Sequence, residues 1–126
     1  MPEIDMEALL NAIAQVESGN NPQAIGDQDL KYPAYGAYQM RYPAYQDVVR
    51  LNPLLRETPF EALQGDAELQ RTFAEAYLVA LRDNYGLQTQ DEIVAGYNAG
   101  PSVRKTGIRN PGYVAKVNRH LKEQVP

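Results

Sequence analysis

The sequence predicts an all-α domain, and three observations carry that prediction. Apolar residues recur at steps of three and four along most of the chain, the spacing of a single helix face. Each such run is bracketed by residues that start or stop helices. No stretch alternates apolar and polar residues as a half-buried strand would, so little or no β structure is expected. With 126 residues there is enough chain for one real core, which makes a single domain over 1–126 the expectation, with short helices around one long central helix.

In chain order, Asp5 is a good N-cap and Glu7 sits well in a first turn, so a helix begins after Asp5. Gly19 ends it, and Asn20-Asn21-Pro22 forbids continuation. From Gln23 to Arg41 the chain reads as irregular and tyrosine-rich, long for a connection that does nothing. Pro43 opens a second helix through Val48 and Val49, which stops at Asn52-Pro53. Thr58-Pro59-Phe60-Glu61 reads as a capping box leading a short helix that ends near Gly65. Asp66 caps the longest helix, with Leu69, Phe73, Tyr77, Ala80 and Leu81 as its buried stripe and Gly86 beyond its end. Thr89-Gln90-Asp91-Glu92 is a second capping box before Ile93, Val94 and Tyr97, and that helix ends by Gly100. Asn110-Pro111 opens the last helix, which turns Tyr113, Val114, Val117 and Leu121 inward.

Composition narrows the chemistry. A hydrophobic fraction of 44% with 22% charged residues is ordinary globular usage. The absence of cysteine removes disulfides and thiolate metal sites, and a single histidine, His120, removes histidine-based triads and metal centres. Carboxylates are left as the acid–base candidates, with no metal or cofactor expected. A net charge of -4 argues against nucleic acid as a partner. The charge is uneven: after Pro101 come Arg104, Lys105, Arg109, Lys116, Arg119 and Lys122 against Glu123 alone, which suits an anionic polymer and equally a solvated helix face. No apolar run is long enough for membrane insertion. Met1-Pro2-Glu3-Ile4-Asp5 carries no basic residue, so no signal peptide is expected.

Three segments carry more polar and small residues than packing asks for. In the first, Met6, Leu10, Ile13 and Glu17 share one helical stripe, which places a carboxylate at the C-terminal end of an apolar face. Desolvation and the negative end of the helix both favour its neutral form there, the form a general acid needs. On spacing alone the commoner outcome is a solvated glutamate on a fraying turn. The second segment is Gly36-Ala37-Tyr38-Gln39-Met40, where glycine permits close backbone approach and glutamine offers donor and acceptor together. The third is Ala95-Gly96-Tyr97-Asn98-Ala99-Gly100-Pro101, whose small residues clear space around one tyrosine and one asparagine.

Taken in this order, Glu17-Ser18-Gly19, Gly36-Ala37-Tyr38-Gln39, Ala95-Gly96-Tyr97-Asn98-Ala99-Gly100 and Tyr113-Val114 resemble the catalytic domain of the soluble lytic transglycosylases, lysozyme-like enzymes that cut bacterial peptidoglycan. The resemblance spans nearly the whole chain and implies a lysozyme-like helical fold. It implies that Glu17 is the catalytic acid, that Ser18, Gln39, Tyr97 and Asn98 orient it or line the sugar cleft, and that Tyr113 is a cleft tyrosine. The implied partner is the peptidoglycan glycan strand, and the implied product is a 1,6-anhydro-muramoyl end formed without metal. A monomer acting on the cell wall is expected, released as a bacteriophage endolysin, carried on a virion, or excised from a larger secreted protein.

The chain departs from that family at several places. Gly-Ala-Tyr-Gln replaces Gly-Leu-Met-Gln, which makes Tyr38 and Met40 contacts to test. A longer insert follows Ala24-Ile25-Gly26-Asp27, and Gly26-Asp27 is similar to the goose-type lysozymes, whose aspartate helps position the hydrolytic water. A second goose-type aspartate is unmatched, because Arg41 and Tyr42 stand there, and Asn110-Pro111-Gly112 occupies the place of an acidic residue before Tyr-Val. Asp27 is therefore a candidate second carboxylate or an Asx-turn residue, and lysozyme-type hydrolysis is the alternative to transglycosylation. A non-catalytic wall-binding or virion module on the same frame is the alternative from another class.

Overall fold

The computed structural model describes residues 4–124, so Met1–Glu3, on which most of the signal-peptide reading rests, lie outside the described residues. The described chain is helical as the spacing predicts. It runs α1 (Met6–Ser18), β1 (Ile25–Gly26), β2 (Ala34–Tyr35), α2 (Tyr42–Leu51), α3 (Ala67–Asp83), α4 (Gln90–Ala99), α5 (Val103–Thr106) and α6 (Pro111–Glu123), with two 3-10 turns, Pro53–Leu55 and Phe60–Leu63, between α2 and α3.

The caps behave as the sequence implies. The Asp5 carboxylate accepts the Ala8 N–H at 3.1 Å and opens α1. Gly19 and Asn20 both turn left-handed, at φ 69 and 62, and return their N–H groups to the Gln15 and Ala14 carbonyls at 3.0 Å. Asp66 caps α3 through the Leu69 N–H. Thr89 and Glu92 exchange both bonds of a capping box at the start of α4.

At 17 residues α3 is the longest helix and packs against α1, α2, α4 and the Phe60–Leu63 turn. α1 also packs on α6, and α6 on α4, so α1, α3, α4 and α6 close a ring around one core. Its centre is Leu9, Leu10, Ile13, Phe73, Leu78, Leu81, Ile93 and Val117, each without solvent exposure. Leu69, expected on the buried stripe of α3, is only half-buried, while Gln70 is fully buried in its place.

Two local expectations need correction, and one short helix was not anticipated. The stretch 23–41 is not wholly irregular: Ile25 pairs with Tyr35 and Gly26 with Ala34 in an antiparallel ribbon, extended by a Tyr35–Met40 bridge. Strands of two residues are too short to show alternation, which is why the pattern was silent there. Thr58-Pro59-Phe60-Glu61 forms no capping box. Pro59 is extended, the Phe60–Leu63 turn is 3-10 without a side-chain cap, and the Thr58 carbonyl accepts the Tyr45 hydroxyl instead. α5 has four residues and one buried side chain, Val103, too little to leave a periodic trace.

Candidate active site

Four elements converge on the end of α1. They are α1 itself, the turn 36–40 after β2, the last turn of α4 and the first turn of α6. Glu17 sits in the final turn of α1, half-buried, because Met6, Leu10 and Ile13 of the same stripe face the core. Its Oε2 accepts a 2.8 Å hydrogen bond from the Tyr113 hydroxyl on α6. A recess of about 20 Å³ opens beside it, lined by Glu17, Gln39, Met40, Arg41, Ala44, Tyr97 and Asn98. That is room for roughly one water-sized group.

Burial dominates the electrostatics of Glu17 and holds its carboxyl above the ordinary glutamate range. The Tyr113 hydrogen bond and the Arg41 guanidinium pull it back down, and the Asp27 charge pushes it up. Tyr97 and Tyr113 are themselves pushed up, first by burial and then by the Glu17 charge, so both remain hydrogen-bond donors across the working pH range.

Each candidate from the sequence has a definite place. Ser18 does not face the recess. Its Oγ donates to the Ala37 carbonyl at 2.7 Å and accepts the Asn21 N–H at 2.9 Å, tying the end of α1 to the turn at 36–40. Gln39 takes a left-handed φ of 48, a strained conformation for a side chain of its size. Its amide is held by donation to the Gly36 carbonyl at 2.9 Å and, at 3.4 Å, to that of Ala24. Gly26 makes room for it, since a Cβ there would lie 2.1 Å from Gln39 Oε1. The Gly26 of the Gly-Asp pair thus has a packing reason independent of Asp27.

Tyr38 is 5% exposed and is not among the recess residues. Its hydroxyl takes a hydrogen bond from Arg71 at 3.2 Å, and its carbonyl accepts the Tyr97 hydroxyl at 2.8 Å. Met40 is buried and lines the recess. Asn98 lines it too, and its Oδ1 accepts from Asn110 at 2.8 Å, which leaves its own N–H donors for another partner. Asp27 stands outside the recess, left-handed at φ 53, with its Oδ2 3.3 Å from Arg41 Nε. Its carboxylate meets Arg41 rather than capping its own turn.

Three residues that support the site were not singled out from the sequence. Gln70, 1% exposed on α3, accepts the Ala37 N–H at 3.0 Å and donates to the carbonyls of Pro22 at 2.9 Å and Leu63 at 2.7 Å. Its amide lies so close to Gly36 that a Cβ there would meet it at 2.1 Å. Gln70, Phe73, Ala74 and Tyr77 share a face, so a glutamine on an apolar stripe was the available signal. Asn110, at the foot of α6, holds Asn98 and the Ala95 carbonyl, while its own Oδ1 is buried without a partner. Arg41 pairs with the Asp27 carboxylate, and its charge also acts on Glu17. Among the described residues no group of histidine and carboxylate side chains has the arrangement of a metal site, and no helix is long and apolar enough to cross a membrane.

Chemically, the arrangement offers one carboxyl biased toward its protonated form, fixed by a tyrosine donor, beside a small recess walled by amide groups. That is the equipment for giving a proton to a bridging oxygen and taking another back. A family model described as "Transglycosylase SLT domain" matches residues 3–119. Searches of curated proteins and of solved structures gave no match.

Proposed function

The chain belongs to the transglycosylase SLT domain family, and on that premise we propose that it is a peptidoglycan lytic transglycosylase whose whole chain forms one catalytic domain around Glu17. Membership of that family supports peptidoglycan of the bacterial cell wall as the substrate. The observation that carries the finer reading is the state of Glu17: half-buried, biased toward protonation, and hydrogen-bonded by Tyr113 at 2.8 Å.

Protonated Glu17 donates to the oxygen of the β-1,4 bond between N-acetylmuramic acid and N-acetylglucosamine. The bond to C1 breaks through an oxocarbenium-like transition state, and N-acetylglucosamine leaves with the proton. The 2-acetamido group of the muramoyl unit stabilises C1 meanwhile. Glu17, now a carboxylate, takes the proton of the C6 hydroxyl as that oxygen bonds to C1, which closes the 1,6-anhydro ring and restores the acid. Tyr113 steadies the carboxylate at the midpoint, when it carries full charge. Gln39, Asn98 and Tyr97 line the sugar side of the recess, with Met40 as its apolar wall. Ser18, Tyr38, Gln70 and Asn110 keep those groups in place.

One observation favours a second reading. The charge of Asp27 reaches Glu17, and an inverting hydrolase needs a base about 6.5–9.5 Å from its acid to hold water. Asp27 is the candidate for that role, and the guanidinium of Arg41 on its carboxylate competes with it. Mass spectrometry of digested, purified peptidoglycan separates the two. Anhydro-muramoyl ends are expected; reducing muramic ends in their place would sink transglycosylation and favour hydrolysis.

A further inference from the structure

The loop joining β1 to β2, residues 27–33, carries side chains that the recess beside Glu17 does not use. Among the described residues four large apolar side chains are exposed, and two of them stand on this loop, Leu30 at 59% and Tyr32 at 42%. A single exposed ring is unremarked in most proteins. Tyr32 differs in how firmly it is held. Its ring lies 4.0 Å from that of Tyr42 and within 9° of parallel, and it meets Phe60 edge-on at 6.5 Å. Tyr42 packs in turn on Tyr45 and Phe60, and Tyr45 lies parallel to Phe73 in the core. The ladder therefore runs from solvent to core, and the outermost ring is ordered before any ligand arrives. The Lys31 ammonium lies over the ring at 5.5 Å from its centroid, a loose cover on a long exposed side chain that an incoming ligand displaces.

The position of this ring matters as much as its rigidity. Asp27, the first residue of the loop, pairs with Arg41, which lines the recess, and Tyr42 follows Arg41 directly. The stack thus begins at the residue that follows a recess residue in the chain, and the Asp27–Arg41 pair ties the loop to that recess residue. A pyranose ring presents an apolar C–H face and a polar rim. An exposed aromatic face beside an ammonium donor matches both.

We propose that Tyr32, with Lys31 and Leu30, is an accessory glycan platform that holds an N-acetylhexosamine unit further along the strand than the bond being cut. Lys31 swings off the ring as the C–H face of the sugar stacks there, and donates to a hydroxyl or acetamido oxygen at the sugar's rim. This rests on the glycan-cleaving reading above.

The test compares long uncrosslinked glycan strands with a tetrasaccharide fragment, digested by the wild type, Tyr32→Ala and Tyr32→Phe. Loss of the ring should lower the ratio of long-strand to tetrasaccharide kcat/KM roughly tenfold, the size of one stacking contact, through KM. Tyr32→Phe keeps the ring and should keep the ratio. An unchanged ratio in Tyr32→Ala, or an equal loss on both substrates, overturns the platform. If the wild type cuts neither substrate, the cleaving reading fails, and binding still judges the platform. In Glu17→Gln protein the Tyr32 ring resonances should shift on titration with the long uncrosslinked strands and not with the tetrasaccharide, and resonances that stay in place with the long strands would overturn it.

Discussion

Two concavities of the molecule differ in nearly every respect. The recess beside Glu17 holds about 20 Å³, whereas the groove between the Pro53–Leu55 turn and the outer face of α3 holds about 490 Å³. The groove is lined by Pro53, Leu54, Leu55, Ala76 and Val79, with Asn52, Thr72 and Glu75 as its polar members. Leu54 beside it is 99% exposed, and nothing in the groove is fastened from another element as Glu17 is by Tyr113. Between these two, size would choose the groove. Chemistry chooses the recess, because only there does burial act on an ionisable group while side chains from three helices hold its surroundings in register. Functional capacity follows from how many groups are constrained about a proton, not from open volume.

Substitutions can break this contrast, beginning with the acid. Glu17→Gln keeps the shape and the Tyr113 contact but cannot give up a proton. Turnover of peptidoglycan should fall by about 10²–10⁴-fold, and a variant that still clears cell walls would remove Glu17 from the mechanism. The same variant carries a stability signature. Folding raises the Glu17 pKa, so the ionised form is the one the fold disfavours. That penalty is absent in acid, below the unfolded-state value, and is complete once the pH passes the folded-state value. Glu17→Gln should therefore melt higher than the wild type at neutral pH, with the gain vanishing in acid.

Gln70→Leu tests the support rather than the acid. It strips partners from the Ala37 N–H and from the Pro22 and Leu63 carbonyls, at about 1–3 kcal/mol for each group left buried and unpaired. Denaturant titration should show that loss. Activity per folded molecule should drop with it, because Ala37 also receives Ser18 next to the acid. Full activity in the folded fraction would mean that the turn holds its shape without Gln70.

Tyr113→Phe is subtler. The lost hydrogen bond was lowering the Glu17 pKa, so the acid rises further and stays protonated to higher pH. The alkaline limb of the pH–rate profile should move up, with kcat reduced roughly two- to tenfold. A limb that moved down would contradict the assigned sign. The smallest effect belongs to the other concavity. Leu54→Ser should leave activity unchanged and stability within about 0.5 kcal/mol, as measured by thermal melts and cell-wall turnover.

Much of the fold was legible because helices announce themselves locally. Asp5, Asp66 and the Thr89–Glu92 pair cap the helices they were expected to cap, and the Met6–Leu10–Ile13–Glu17 stripe aims the acid inward. The segment from Gly19 to Arg41 was less readable. Its ribbon has two residues per strand, and its left-handed Asp27 and Gln39 are residue types that do not announce a positive φ as glycine does.

The order of the main helices, most of their ends and the inward stripe that carries Glu17 thus lie in the chain itself, since spacing and capping act within four residues. The proton bias of Glu17, the service of Tyr38 as a backbone acceptor, the Asp27–Arg41 pair and the Gln70 and Asn110 supports belong to tertiary structure. Tyr113 reaches Glu17 across 96 residues and Gln70 reaches Ala37 across 33. No local pattern can encode such partners, because they meet only when packing has brought α1, α3, α4 and α6 around one core.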